Sequence, residues 1–175
     1  MTISPLRIAV IVGSTRKGRF GPTVANWFSG HAAHRPDLHV EIVDLAGPEP
    51  VSAALAAADG FVVVTPEYNH SYPAPLKAAI DAHYKEWHAK PVAFVSYGGV
   101  SGGLRAVEHL RGVFAELHAM TVRDTVSFHR VQQCFDSEGR PTDPAPAEAA
   151  DTLLDRLAWW GDALREARAR TPYVD

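Results

Sequence analysis

The sequence predicts an α/β fold: a doubly wound, five-stranded parallel sheet of order 2-1-3-4-5, sandwiched in three α/β/α layers. Two observations carry this. Apolar runs of strand length alternate with stretches of helical periodicity, which is the pattern of a parallel sheet covered on both faces. The runs number five, which favours the order 2-1-3-4-5 over the six-stranded 3-2-1-4-5-6 arrangement.

The strands are read in chain order. Leu6–Val12 is a nearly continuous apolar run ending at Gly13. His39–Asp44 alternates apolar with polar residues and suits a position nearer a sheet edge. Phe61–Thr65 is apolar throughout its first four residues, as a central strand buried on both faces must be. Pro91–Ser96 and Thr121–Phe128 complete the set. Between them, Pro22 opens a helix carrying Val24, Ala25, Trp27 and Phe28, and Val51–Ala58 forms a short alanine-rich one. Pro75 opens a third, with Leu76, Ala79, Ile80 and His83. Leu104, Val107, Leu110, Phe114 and Leu117 form a fourth, amphipathic stripe. Leu153, Leu154, Leu157 and Trp160 mark a last helix, and the proline-rich segment Pro141–Pro146 before it reads as a loop.

The chain has 175 residues, 46% of them hydrophobic, and this length suits one domain over residues 1–175. A formal net charge of −3 gives no electrostatic footprint for nucleic acid and no basic face for an anionic membrane. The longest apolar runs fall far below the ~20 residues of a membrane span. A single cysteine, Cys134, excludes an internal disulfide and a zinc-thiolate cluster. The N-terminus has no positively charged region before its hydrophobic segment, so no signal peptide and a cytoplasmic location are expected.

In open sheets of this kind, ligands bind beyond the carboxyl ends of the strands. Three segments there carry chemistry. After the first strand comes Gly13-Ser14-Thr15-Arg16-Lys17-Gly18-Arg19-Phe20-Gly21-Pro22, leading into a helix. Hydroxyls, amides and cations at a helix N-terminus make an anion site. It is not a dinucleotide fingerprint, because Thr15 stands where the second glycine belongs, and Asp44 lies later than the ~20 residues expected of a ribose-binding acid. Nor is it a P-loop, since Arg19 and Phe20 replace the Lys and the metal-binding hydroxyl. What remains suits one terminal phosphate held without a metal.

After the third strand, Pro66-Glu67-Tyr68-Asn69-His70-Ser71-Tyr72-Pro73-Ala74-Pro75 is stiffened by prolines and offers tyrosines and an asparagine to a planar ring. Here Glu67 reads as a carboxylate fixing the loop or capping a helix, and His70 as a hydrogen-bonded wall, ahead of acid–base roles. After the fourth strand, Tyr97-Gly98-Gly99-Val100-Ser101-Gly102-Gly103 permits close backbone approach to a ligand.

These residues resemble the NADPH-dependent FMN reductase family, the flavodoxin-like group that includes quinone, azo-dye and chromate reductases. The resemblance rests on Gly13-Ser14-Thr15-Arg16, on Pro66-Glu67-Tyr68-Asn69 followed by Pro75-Leu76-Lys77, and on Ser96–Gly99 with Gly102-Gly103-Leu104-Arg105. It covers roughly residues 6–120 and is thin past Thr121. It implies a flavodoxin-like fold, FMN as cofactor, and NADPH or NADH as hydride donor to a small acceptor such as a quinone. It also implies that Ser14, Thr15 and Arg16, with Arg19, Phe20, Gly21 and Pro22, bind the FMN phosphate. Pro66, Glu67, Tyr68 and Asn69 then line the isoalloxazine, and Tyr97, Gly98 and Gly99 close its other side. A homodimer or tetramer is a further implication, with Trp87 either at that interface or covering its own sheet. No catalytic side chain is expected, since the protein orients the flavin and tunes its electronics. The alternative is a flavin-binding electron carrier or regulatory module without turnover.

Nine histidines invite a metal reading, but no i, i+4 pair exists, and His31 and His34 at i, i+3 suit exposed helix-end residues better. Cys134 lacks neighbouring cations and reads as an idle thiol.

Overall fold

The computed structural model describes residues 4–48 and 51–174. The strands are β1 (Leu6–Val12), β2 (Leu38–Asp44), β3 (Gly60–Pro66), β4 (Pro91–Tyr97) and β5 (Met120–Phe128). They alternate with α1 (Gly21–Ala32), α2 (Val51–Ala57), α3 (Ala74–Asp81), α4 (Leu104–Glu116) and α5 (Ala145–Arg170), with a short 3-10 turn at Val131–Gln133. All pairings are parallel and the order is β2-β1-β3-β4-β5, as the strand count suggested. β3 and β4 are buried along their whole length, which explains their unbroken apolar runs. β2, with its alternating pattern, lies at the edge.

Each face of the sheet carries its own core. α1 and α5 pack on one side through Val24, Phe28, Leu153 and Leu157. α2, α3 and α4 pack on the other through Leu55, Ile80, Leu110 and Phe114. Trp87 belongs to this second core: it is buried, its ring centre lies 4.7 Å from Phe61 and 5.3 Å from Phe114, and its indole N–H donates to the carbonyls of Ile80 and His83. Its place is therefore over its own sheet. No helix among the described residues is long and apolar enough to cross a membrane.

One element departs from expectation. α5 begins at Ala145, inside the proline-rich run read as loop, and extends for 26 residues. The Asp143 carboxylate accepts the Ala145 N–H at 2.8 Å, and Pro146 sits in the first turn. First-turn N–H groups have no intrahelical partner, so proline costs the helix nothing there. The same logic seats Pro22 in the first turn of α1, one residue after Gly21.

Candidate functional site

The registers Val12↔Val64 and Val64↔Val95 bring the carboxyl ends of β1, β3 and β4 level. The strand order reverses between β1 and β3, so the β1–α1 and β3–α3 loops part there and leave a crevice.

The β1–α1 loop leaves the sheet with Gly13 N–H bonded to the Val64 carbonyl. Ser14 is fully buried; its hydroxyl lies 2.7 Å from that of Tyr68 and accepts a long 3.4 Å bond from the Arg16 N–H. Ser14 thus ties this loop to the next one. Arg19 pairs with Asp44 at 2.5 Å, and Phe20 packs its ring against Phe135. Asp44, weighed from the sequence as a ribose ligand, is taken up by this ion pair. Gly21 is pressed onto the sheet: a Cβ there would lie 2.9 Å from Val12 Cγ1 and 3.0 Å from the Tyr97 hydroxyl. Only glycine lets α1 start so close to the strand ends.

The N-cap residue Phe20 provides no side-chain cap, and the first turn of α1 holds no acid. Its amides and dipole are thus open to an anion. Arg16 and Lys17 are exposed and pair with no carboxylate among the described residues. The Arg16 guanidinium lies over the Tyr68 ring, 5.7 Å from its centre.

The β3–α3 loop contains a two-residue hairpin. Tyr68 and Ser71 exchange both backbone hydrogen bonds (2.8 and 3.0 Å), and Asn69 and His70 between them have φ of 51° and 69°. Positive φ at both central residues is the type I′ form. The hairpin is gripped from α4. Glu67 accepts from Arg105 Nε at 2.5 Å and from the Arg105 backbone N–H at 3.2 Å, while its side chain is only 5% exposed. Arginine can only donate, so His70 Nε2 accepts the 2.8 Å bond from Arg105 Nη1. Burial alone would raise the Glu67 pKa, but the bonds from Arg105 and Ser101 outweigh it and hold the carboxyl below its ordinary value. Glu67 is therefore a loop-fixing carboxylate and a cap on α4, and His70 a hydrogen-bonded wall.

In the β4–α4 loop, Gly102 and Gly103 have φ of 60° and 85° and fold the chain back on β4. A Cβ on Gly103 would lie 2.9 Å from Tyr97 N. The Tyr97 side chain points away from this loop into the α1/α5 core, and its hydroxyl ends beneath Gly21 without a hydrogen-bond partner among the described residues. Burial, then the nearby Tyr68, raises its pKa well above the ordinary tyrosine range.

Thr15, Arg16, Glu67, Tyr68 and Asn69, together with Pro73 and Pro75, line one groove of about 510 Å3. Ser14 lies beneath it, bonded to Tyr68. Arg19, Phe20 and Gly21 shape the loop from behind. Arg105 was not singled out from the sequence as a site residue. Its signal was there: a cation in a helix's first turn is opposed by the dipole and calls for a carboxylate partner. A second groove, of about 720 Å3, lies between the β5 end and the start of α5 and also escaped the sequence reading. Cys134 lines it, half-buried, its thiol donating to the His129 carbonyl at 3.0 Å; burial raises its pKa, as an idle thiol's should be.

The strand order and the crevice at the β1/β3 reversal define a protein of flavodoxin-like fold. A solved structure of FerB, a flavoenzyme NAD(P)H:(acceptor) oxidoreductase from Paracoccus denitrificans, superposes with a TM-score of 0.66 at 24% identity, covering 90% of this chain and 98% of that one. The family model of NADPH-dependent FMN reductases matches residues 6–133, and the chain belongs to that family. It is 39% identical over 126 residues to an NAD(P)H-dependent FMN reductase of Schizosaccharomyces pombe, across 59% of this chain and 62% of that protein. It is 33% identical over 184 residues to a probable NADPH:quinone oxidoreductase of Oryza sativa subsp. japonica, across 88% of each. By class it is an oxidoreductase of a family whose cofactors are FMN and NADPH.

Proposed function

We propose that the protein carries FMN in the crevice between the β1–α1 and β3–α3 loops and uses NAD(P)H to reduce small quinone-like acceptors. The residues present fit a singly phosphorylated flavin. An uncapped helix N-terminus without a first-turn acid, flanked by two unpaired cations, suits a phosphate. The adjoining groove offers an aromatic ring and a stiff hairpin to a flat heterocycle.

Thr15, Arg16 and the first-turn amides of α1 hold the phosphate in this reading, and Ser14 fixes the loop under it. Arg19, Phe20, Gly21 and Pro22 set the loop's shape. Pro66, Glu67, Tyr68 and Asn69 form one wall for the ring, and the backbone of Tyr97, Gly98 and Gly99 the other. Bound there, FMN would supply the redox chemistry, hydride uptake from a nicotinamide and electron delivery to the acceptor. The Glu67, Tyr68 and Gly98 N–H groups are already bonded to the Tyr97, Ser71 and Phe128 carbonyls, so stabilising negative charge on the ring would fall to the Asn69 and Gly99 N–H groups. Glu67 is committed to Arg105, and the Tyr68 hydroxyl to Ser14, so neither stands free as an acid or base.

The quinone as acceptor is supported by the rice relative. Leu104, 43% exposed next to Arg105 at the start of α4, supports a second copy covering this end in a homodimer. A cytoplasmic location completes the reading.

The observation that carries it is the single groove uniting Thr15 and Arg16 with Glu67, Tyr68 and Asn69. The test is an absorption spectrum of the purified protein with FMN, followed by anaerobic NADPH and then a quinone. Yellow colour that bleaches and returns is expected. A protein that takes up no FMN overturns the proposal, and one that binds FMN without NADPH bleaching is an electron carrier instead.

A further inference from the structure

The groove of about 720 Å3 beside β5 is untouched by the flavin reading, yet it lies at the same edge of the sheet. Val126–Phe128 at the end of β5, Arg130, and Ala145, Pro146 and Ala149 at the start of α5 line it, and Val100 from the β4–α4 loop forms its near rim. The two sites share a wall. Gly99 accepts the Arg130 N–H at 2.7 Å, Gly98 accepts the Val131 N–H at 3.1 Å, and the Val100 carbonyl lies 2.7 Å from His129 Nδ1. Gly99 and Val100, the crest between the grooves, are both exposed, Val100 by 78%.

Arg130 sits on this wall in a left-handed conformation, φ 50°. A non-glycine residue held there is strained, and such strain concentrates at ligand sites. Its guanidinium has no carboxylate partner among the described residues, whereas Arg19, Arg105 and Arg140 are each engaged by one. Two unpaired arginines thus stand at the carboxyl edge: Arg16 on the β1 side of the glycine loop and Arg130 on the β5 side. The groove between Arg130 and α5 is part apolar, through Val126, Phe128 and Pro146, and part polar, through Gln133, Thr142 and Asp143, whose carboxylate is bonded to the Ala145 N–H at 2.8 Å. A volume of about 720 Å3 is in the range of nucleotide-sized pockets.

We infer that this groove receives the phosphorylated adenosine end of the nicotinamide nucleotide, with Arg130 bound to its 2′-phosphate. The inference rests on the flavin reading: a nicotinamide stacked beside the Gly98–Val100 crest leaves the rest of an extended dinucleotide to cross it. The purine takes the apolar wall, and the dianionic phosphate meets an arginine that forms no ion pair with a carboxylate among the described residues. Arg130 is accordingly a specificity residue that favours NADPH over NADH.

The test uses the full chain and the Arg130→Ala and Arg130→Lys variants. Adenosine 2′,5′-bisphosphate is titrated by calorimetry, which reads the groove without turnover. Arg130→Ala weakens its binding by about tenfold or more, and Arg130→Lys restores part of it. In steady state, the KM for NADPH rises about tenfold with kcat moving much less, and the KM for NADH changes little. Unchanged bisphosphate affinity overturns the proposal. So does a rise in the quinone KM with that of NADPH unmoved, which gives the groove to the acceptor, and so does loss of FMN from the variant. Wild-type protein that bound no FMN would sink the flavin reading, while the bisphosphate titration on that same flavin-free chain would still decide the groove.

Discussion

The two loops that face each other across the crevice are built on opposite principles. In the β3–α3 loop almost every polar group is already spoken for: Glu67 and His70 by Arg105, Tyr68 by Ser14, and the hairpin amides by each other. In the β1–α1 loop the donors are left over: Arg16, Lys17 and the first-turn amides of α1 have no acidic partner among the described residues. A satisfied, strained hairpin gives a rigid wall that orients a ligand but draws little affinity from new bonds. An unsatisfied cluster of donors gives affinity and little shape. The division says which loop to alter to lose the cofactor and which to alter to lose its orientation.

The largest effect is expected at the unsatisfied loop. Arg16→Ala removes a charge-assisted contact of roughly 1.5–3 kcal/mol, a loss of about 10- to 100-fold in FMN affinity. Because Arg16 is exposed and makes no ion pair among the described residues, the variant's Tm stays within about 2 °C of wild type. Fluorescence titration with FMN beside a thermal melt checks both; equal affinity breaks the comparison.

The satisfied loop reverses that pattern. Arg105→Ala strands a Glu67 carboxylate that is almost wholly buried, so stability falls first, by about 2 kcal/mol, and FMN affinity follows less steeply as the hairpin loosens. Exchange of the Tyr68 and Ser71 amides should quicken in the flavin-free variant. The ion pair also leaves a mark on pH. Glu67 has a lowered pKa in the folded state, so its stabilisation is fully present above the carboxyl's unfolded pKa and disappears as pH falls through the lowered one. Melts of wild type and Glu67→Gln should therefore converge on acidification, and a gap that widened would refute the assignment.

The same contrast explains what the amino-acid sequence made legible. The strand order, the covered central strands and the three loops follow from local patterns, namely unbroken apolar runs, glycines and prolines, which act over a few residues. The roles of Glu67 and His70 were legible too, because loop histidines and carboxylates usually find local partners. Arg105 was not read as their partner, since a contact 38 residues away in sequence is set by how α4 docks and not by any spacing. The start of α5 at Ala145 was hidden for another reason. Prolines that punctuate loops also open helices, and only the Asp143 cap distinguishes the two. The groove beside Arg130 joins the β4–α4 loop, β5 and α5, and no single stretch of sequence encodes it.

The smallest effect sharpens the comparison from below. Tyr97 lies under the unsatisfied loop, and its hydroxyl is buried beneath Gly21 with no partner among the described residues. An unpaired buried hydroxyl costs about 1–3 kcal/mol, so Tyr97→Phe, which keeps the ring packing in the α1/α5 core, should raise stability by about 1 kcal/mol or leave it unchanged. If the loop above is held only by Thr15, Arg16 and the α1 amides, FMN affinity should not move. Loss of affinity in this variant would mean that the hydroxyl is recruited when the phosphate arrives. The β1–α1 loop would then draw on a donor held in reserve under its own helix, and its floor would belong to the binding site along with its rim.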